Sequence, residues 1–246
     1  MPESKPTFVL VHGAYAGGWY WRWVTPRLRA AGYDVVVPTL TGLGERSHLA
    51  SPQVDLETHI EDVLQVYRYD DLQDTVLVGH SYGGMIVAGV TDRLPERVQA
   101  LVYFDSDVPL DGDTSVPPER HAARIERTQM EGDGWRVPPP PGFIEEQLMS
   151  LPEPTRRWIV ERMGRHPLQT WLDPIRLTGA AAAIPTTYIR CTEGYDPDDL
   201  DTRRQDARIR SEPSWRYREL DAPHMALITH PAEVTALLIE AALESN

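Results

Sequence analysis

The pentapeptide GHSYG at residues 79–83 constrains the fold of this chain more than any other stretch. It follows an apolar segment that is typical of a buried strand, and it precedes a segment with helical spacing. A tight turn between a strand and a helix strains its central residue, and both flanking positions must be small so that neighbouring segments can approach. Gly79 and Gly83 meet that requirement. The motif therefore predicts a strand, a tight turn with Ser81 at its apex, and a helix.

The rest of the chain repeats this alternation of strands and helices. Short runs rich in β-branched and aromatic residues are separated by longer segments with helical spacing, which predicts an α/β fold with a mostly parallel sheet and helices on both faces. The predicted strands are 8–12, 34–38, 76–79, 100–104, 186–191 and 216–220. The predicted helices are 21–31, 56–69, 83–93 and a last one after Thr229.

Residues 108–184 break the alternation. They contain no convincing strand, but they contain many prolines and three tryptophans, Trp135, Trp158 and Trp171. Because tryptophan side chains tend to pack against other groups, we predict an insertion of short helices that caps one end of the sheet. The core is then 1–107 and 185–246, within a single domain overall. A second folding domain or a partly disordered linker is the alternative.

Composition limits the partners and the compartment. With 246 residues, 41% of them apolar, the chain is long enough for one globular domain with a large core. A net charge of −13 argues against nucleic acid and against a polybasic membrane patch. A single cysteine, Cys191, excludes a disulfide framework or a thiolate metal site within one chain. The absence of a signal-peptide pattern and of a long apolar run predicts a cytoplasmic protein with no membrane partner.

The GxSxG pattern between a strand and a helix is typical of a serine nucleophile, here Ser81. An attacking serine needs donors for the oxyanion that forms, and one is the backbone N–H of the next residue, Tyr82. The second donor is expected in the loop after the first strand, at Ala14 N–H, with Tyr15 N–H as the alternative. Glycine spacing in this loop suggests a phosphate loop, but Trp19 and Tyr20 occupy the positions of its required Lys and Ser/Thr.

A serine hydroxyl also needs a base, and histidine has a suitable pKa. His224 occupies the expected place between the last strand and the last helix. The acid that orients this histidine is left open by position alone, because both Asp105 and Asp196 lie between Ser81 and His224 in the chain. Glu193 and a Ser–His dyad without an acid are further alternatives.

Six segments carry a resemblance to a known family: VLVHGAYAGGWYW, LTGLGER, VGHSYGGM, LVYFDSDVP, YIRCTE and DAPHMALITHPAEV. The chain resembles the α/β-hydrolase superfamily, and more narrowly the small bacterial esterases related to plant methylesterases and hydroxynitrile lyases. In the plant enzymes the acid directly follows the CTE-like segment, where this chain has Gly194. By analogy with superfamily members whose acid follows the preceding strand, the resemblance favours Asp105.

The resemblance also separates esterase from lyase activity. Hydroxynitrile lyases of this group have a threonine after the first-strand histidine and a lysine after the catalytic histidine, where this chain has Gly13 and Met225. Superfamily dehalogenases and epoxide hydrolases use an aspartate nucleophile, which Ser81 disfavours.

The expected function is therefore cofactor-free and metal-free hydrolysis of a small, apolar or aromatic carboxylic ester through an acyl-enzyme. Tyr15, Trp135 and Trp158 are the predicted substrate-binding residues, and a homodimer is left open. Alternatives are hydrolysis or cleavage of a specialised substrate (a lactone, a carbamate or a carbon–carbon bond) and a weakly catalytic, receptor-like binding protein.

Overall fold

Six parallel strands form the main sheet of the computed structural model, which describes residues 5–140, 142, 147–194 and 200–244, with the backbone alone at 200–204. The order across this sheet is β2-β1-β3-β4-β7-β8, and β5 pairs antiparallel with β6 outside it. The strands are β1 (Thr7–Val11), β2 (Val35–Val36), β3 (Thr75–His80), β4 (Val98–Phe104), β5 (Arg136–Val137), β6 (His166–Pro167), β7 (Thr186–Cys191) and β8 (Trp215–Leu220).

Helices connect the strands and cover both faces of the sheet. They are α1 (Thr25–Ala30), α2 (Leu56–Tyr69), α3 (Gly83–Arg93), α4 (His121–Glu131), α5 (Glu153–Val160), α6 (Gln169–Leu172), α7 (Leu200–Ser211), α8 (Ala226–Thr229) and α9 (Pro231–Leu243). Sequence signals explain individual ends: Asp55 caps α2 by accepting a hydrogen bond from Thr58 N–H at 2.8 Å. The predicted α/β class with a parallel sheet is confirmed.

Alternate residues of each strand enter two separate apolar cores. Phe8 and Leu10 pack in one core with α1 and α9, whereas Val9 and Val11 pack in the other with α2 and α3. The central strands are therefore buried on both sides, which explains their nearly continuous apolar sequence. Because all six strands run in the same direction, their carboxyl ends and the loops that follow them lie along one edge of the sheet.

Some predicted elements differ from the observed ones. The helix expected over 21–31 is a 3-10 turn at Gly18–Trp21 followed by α1, because Pro26 has no N–H to donate and fits only in a first turn. The second strand is reduced to Val35–Val36. Helix α7 is not predicted, since half of its residues are charged and few are apolar. The strands β5 and β6 lie in a segment expected to have none, and two residues each are too few for a periodic signal.

Residues 108–184, the intervening segment, contact the core beside the carboxyl end of β1. Gly164 N–H donates to Tyr15 O at 2.8 Å, and Tyr15 N–H donates to His166 Nδ1 at 3.5 Å. The segment is also attached at α3, where Asp92 accepts hydrogen bonds from the backbone of Thr178 and Gly179. Among the helices that the structure describes, none is both long and apolar enough to cross a bilayer.

Candidate active site

Ser81 lies at the turn between β3 and α3 with a φ of +54°, in the left-handed region that side chains other than glycine rarely adopt. Backbone hydrogen bonds hold this conformation. Ser81 N–H donates to Phe104 O at 3.3 Å, and Ser81 O accepts from Asp107 N–H at 3.2 Å. The chain after β4 thus fixes the turn from the side. Strain of this kind persists only where the surroundings over-determine it.

Close backbone contacts explain the glycines around the turn. A Cβ on Gly13 would lie 2.9 Å from the Cβ of Ser81, so the loop after β1 touches the serine directly. A Cβ on Gly79 would lie 2.6 Å from Gly83 O, and one on Gly84 would lie 1.9 Å from Asp107 O. These contacts allow no side chain and fix the relative positions of β1, β3 and the loop after β4.

We expect Gly84→Ala to destabilise the protein. Alanine favours a helix by about 1 kcal/mol relative to glycine, but the overlap with Asp107 O forces a backbone shift, and we expect a net loss of about 2 kcal/mol in the free energy of unfolding. Urea denaturation measures this change. Gly164→Ala is the matched control, because its Cβ would meet only Tyr15 O at 4.0 Å. Equal stability of the Gly84→Ala variant and the parent protein would contradict the close contact.

His224 and Asp105 form a hydrogen-bonded pair in the same region. Asp105 follows β4 and His224 follows β8, and His224 Nδ1 lies 2.6 Å from Asp105 Oδ2. The Asp105 side chain is 9% exposed and that of His224 is 28% exposed. The imidazole therefore has its Nδ1–H bound to a buried carboxylate while the ring keeps access to solvent.

Two groups of β7 hold the other oxygen of Asp105. Arg190 Nη1 lies 3.1 Å from Asp105 Oδ1, and Cys191 N–H donates to the same oxygen at 3.2 Å. Burial raises the pKa of Asp105, but the hydrogen bond from His224 and the charges of His224 and Arg190 outweigh it and hold this pKa below its usual value. Asp105 is thus ionised at neutral pH.

His80 supports His224 from behind. Its Nε2–H donates to His224 O at 2.9 Å, and the two ring centroids are 4.6 Å apart. Burial is the largest cause that lowers the pKa of His80 to about 3, so its ring is neutral. The neutral ring of His80 adds no charge beside His224, and its hydrogen bond to His224 O fixes the backbone of that residue.

The two predicted oxyanion donors, the backbone N–H groups of Ala14 and Tyr82, have no acceptor within the described part of the chain. Tyr15 N–H, the alternative donor, is engaged with His166 Nδ1. His12 fixes the loop that carries Ala14, since its Nδ1–H donates to Gly13 O at 2.8 Å and its Nε2 accepts from Leu40 N–H at 3.1 Å. Free donors of this kind can stabilise an oxyanion.

The Tyr82 side chain is also fixed. His59 Nε2–H donates to Thr41 O at 2.8 Å, so His59 Nδ1 accepts from the Tyr82 hydroxyl at 2.9 Å. Burial lowers the pKa of His59 to about 4 and keeps it neutral. The hydroxyl of the residue that follows the serine is therefore fixed by a hydrogen bond.

A cavity of about 390 Å³ opens beside Ser81, and Asp105 and His224 line it as well. Most of its other described lining is polar: Ser106, Asp107, Asp113, Thr114, Ser115, Arg120, Arg190 and Gln205. The apolar lining is Met85, Val108, Pro109 and Pro117. Within the described residues, no three His, Cys, Asp or Glu side chains cluster in a way that could hold a metal ion.

The predicted substrate-binding residues lie away from the described lining of this cavity. Tyr15 packs its ring against Trp171 and His166. The guanidinium groups of Arg22 and Arg162 both lie over the ring of Trp158, and that of Arg136 lies over Trp135. Of the alternative acids, Glu193 is exposed and Asp196 lies outside the described residues.

Several residues at this site are not singled out by the sequence motifs. Arg190 could be found only once β4 and β7 are known to be neighbours in the sheet. Phe104 then pairs with Ile189, which makes the next residues, Asp105 and Arg190, neighbours. Asp107 is two residues from Asp105, but nothing in the sequence indicates its side-chain direction. His59 and His166 lie far along the chain from the Ser81 motif, and nothing in the sequence around them indicates which residues they contact.

A model of the Alpha/beta hydrolase family matches residues 8–237. The chain is 35% identical, over a 247-residue alignment, to a carbendazim hydrolyzing esterase from Nocardioides sp. (strain SG-4G), and this match covers 94% of this chain and 97% of that protein. It is 34% identical over 106 residues to Methylesterase 8 from Arabidopsis thaliana, covering 43% of this chain and 39% of that protein.

Among solved structures, an extracellular alpha/beta-hydrolase from a Paenibacillus species has a similar fold. Its TM-score is 0.81 at 23% sequence identity, and the match covers 96% of this chain and 98% of that chain. At this identity the likeness establishes the fold alone.

Proposed function

The chain belongs to the alpha/beta hydrolase family, and on that premise we propose that it cleaves a small carboxylic ester. Ser81 is the nucleophile, His224 is the base, and the carboxylate of Asp105 orients His224. The predicted resemblance is confirmed at the level of the family, and relatives named as esterases agree with the predicted enzyme class, a carboxylic ester hydrolase. The observation that carries the proposal is the 2.6 Å contact between His224 Nδ1 and Asp105 Oδ2 at the cavity that Ser81 lines.

In the acylation step, His224 Nε2 accepts the hydroxyl proton of Ser81 as its Oγ attacks the ester carbonyl carbon. Asp105 keeps the proton of the imidazole on Nδ1, so that Nε2 is the free base, and it stabilises the imidazolium that forms. The two N–H groups without acceptors, at Ala14 and Tyr82, hydrogen-bond the oxyanion of the tetrahedral intermediate. Loss of one such donor typically costs about 100- to 1000-fold in rate.

The imidazolium then protonates the leaving alcohol as the bond between the carbonyl carbon and the alkoxy oxygen breaks. Water enters, His224 accepts its proton, and hydroxide attack on the acyl-enzyme releases the carboxylic acid and restores the Ser81 hydroxyl. Each proton removed by His224 is returned by His224. These steps need no cofactor.

The cavity supports a small substrate. An apolar part of the ester would contact Met85, Val108 and Pro117. The sequence predicts an apolar or aromatic substrate bound by Tyr15, Trp135 and Trp158, and that assignment stays a prediction. Carbendazim, named for the bacterial relative, belongs in a substrate panel together with simple alkyl and aryl esters.

Steady-state hydrolysis of p-nitrophenyl acetate and butyrate tests the proposal. We expect continuous release of p-nitrophenol, with many product molecules for each molecule of protein, since the site regenerates Ser81 in every cycle. A stopped-flow trace resolves an initial burst from the steady phase. A burst of one equivalent of p-nitrophenol without further release, or no release at all, would contradict the proposed esterase activity. Either result would favour a receptor-like binding protein.

A further inference from the structure

Asp107 brings to the cavity a carboxylate that the proposed triad does not use. Its backbone is fixed relative to the nucleophile, because its N–H donates to Ser81 O at 3.2 Å and its carbonyl oxygen packs against Gly84 without room for a Cβ. The backbone of this half-buried residue therefore has a set position next to Ser81.

One oxygen of this carboxylate is satisfied and the other is not. Ser115 Oγ donates to Asp107 Oδ2 at 2.6 Å, which orients the group. Asp107 Oδ1 accepts no hydrogen bond from any residue that the structure describes. This oxygen is accessible to solvent and belongs to a residue that lines the cavity, so a water molecule or a ligand can donate to it.

Asp107 differs from the other acids of the cavity. Asp105 is bound to His224 and Arg190. Asp113 is exposed, and its Oδ2 accepts from Leu110 N–H at 2.8 Å. Burial raises the pKa of Asp107 to about 6, so above neutral pH the carboxylate form predominates. Hydrogen bonds to an ionised acceptor are stronger than those between neutral groups.

We infer that Asp107, oriented by Ser115, determines specificity by accepting a hydrogen bond from a hydroxyl or N–H group of the ester. The substrate class is then a small carboxylic ester with a donor group on its acyl or alcohol part. The inference rests on the proposed esterase function and adds a recognition group to it. The carboxylate takes no part in bond making or breaking.

Pairs of esters that differ only by a hydroxyl in place of a methyl group test this on both sides of the scissile bond. Methyl 3-hydroxybutyrate is compared with methyl 3-methylbutyrate, and 2-hydroxyethyl butyrate with propyl butyrate, in pH-stat assays at pH 8. The readout is the ratio of kcat/KM within each pair. We expect a preference of about 10- to 100-fold for the hydroxylated ester in one pair, as for a hydrogen bond to a charged group.

In Asp107→Asn and in Ser115→Ala this ratio is expected to fall, to within about threefold of unity in the first variant and to an intermediate value in the second. The ratio is independent of the amount of folded enzyme, so partial misfolding of one variant does not hide the effect. Asp111→Asn is the matched control, because its carboxylate lies outside the described cavity lining and accepts from Leu177 N–H.

A ratio near unity in the parent enzyme for both pairs, or a ratio unchanged in both variants, would overturn the inference. The proposed esterase function is checked separately with p-nitrophenyl butyrate, which has no donor group. If this ester shows Ser81-dependent turnover while the ratios are near unity, only the role of Asp107 is wrong. If it shows none, the esterase function fails and the inference fails with it.

Discussion

Ser81→Ala is expected to lower kcat for p-nitrophenyl butyrate by at least about 10⁴-fold, because it removes the hydroxyl group that forms the proposed acyl-enzyme. The residual rate would come from the two free N–H donors and from substrate binding. Steady-state kinetics and intact-protein mass spectrometry after a rapid quench measure the loss of turnover and of the acylated enzyme.

Controls separate chemistry from folding. Ser47→Ala, at an exposed serine of the turn Gly44–Leu49, should keep the parent rate. The double variant of Ser81 and His224 should be hardly slower than Ser81→Ala alone, since the two residues act as one unit. Turnover of Ser81→Ala close to the parent rate would refute the assignment of the nucleophile.

Asp105→Asn is expected to lower kcat by about 10⁴-fold while KM changes little, because an amide can donate to Nδ1 and favours the wrong tautomer of His224. The variant also leaves Arg190 beside a neutral group instead of a carboxylate. The pH profile of kcat, together with the thermal unfolding midpoint, distinguishes loss of the acid from loss of structure.

Two further variants make this result specific. Asp206→Asn removes the other carboxylate on Arg190 and should cost at most about tenfold, because His224 keeps its own partner. Asp196→Asn tests the alternative acid and should be close to the parent enzyme. A collapse of kcat in Asp196→Asn with a mild effect in Asp105→Asn would move the acid to the loop after β7.

The elements at the centre of the site follow from local sequence, whereas their supporting contacts do not. The turn around Ser81 was predictable because glycine, chain direction and apolar runs are local properties. The ion pair of Asp105 and Arg190 depends on which strands are neighbours, which the chain order alone leaves undetermined. That Arg190 of β7 lies beside Asp105 becomes clear only once the register of β4 with β7 is known.

Aromatic residues show the same limit. Tryptophan in the intervening segment indicates packing, but the sequence does not say against what. The half-buried Trp158 contacts Trp19 and Trp23, so it attaches the intervening segment to the core. Helix α7 was missed for a related reason, since its charged sequence gives few apolar positions to count.

Two residues of the proposed triad have a strained backbone. Among the described residues other than glycine, positive φ values occur at Tyr15, Ser81 and Asp105, and otherwise at Asp71 and Asp74 in the turn before β3. Each such conformation costs about 1–3 kcal/mol, which the rest of the fold must offset. Ser81 and Asp105 both belong to the proposed triad, so substitutions that raise thermal stability by relaxing these two positions would act against catalysis.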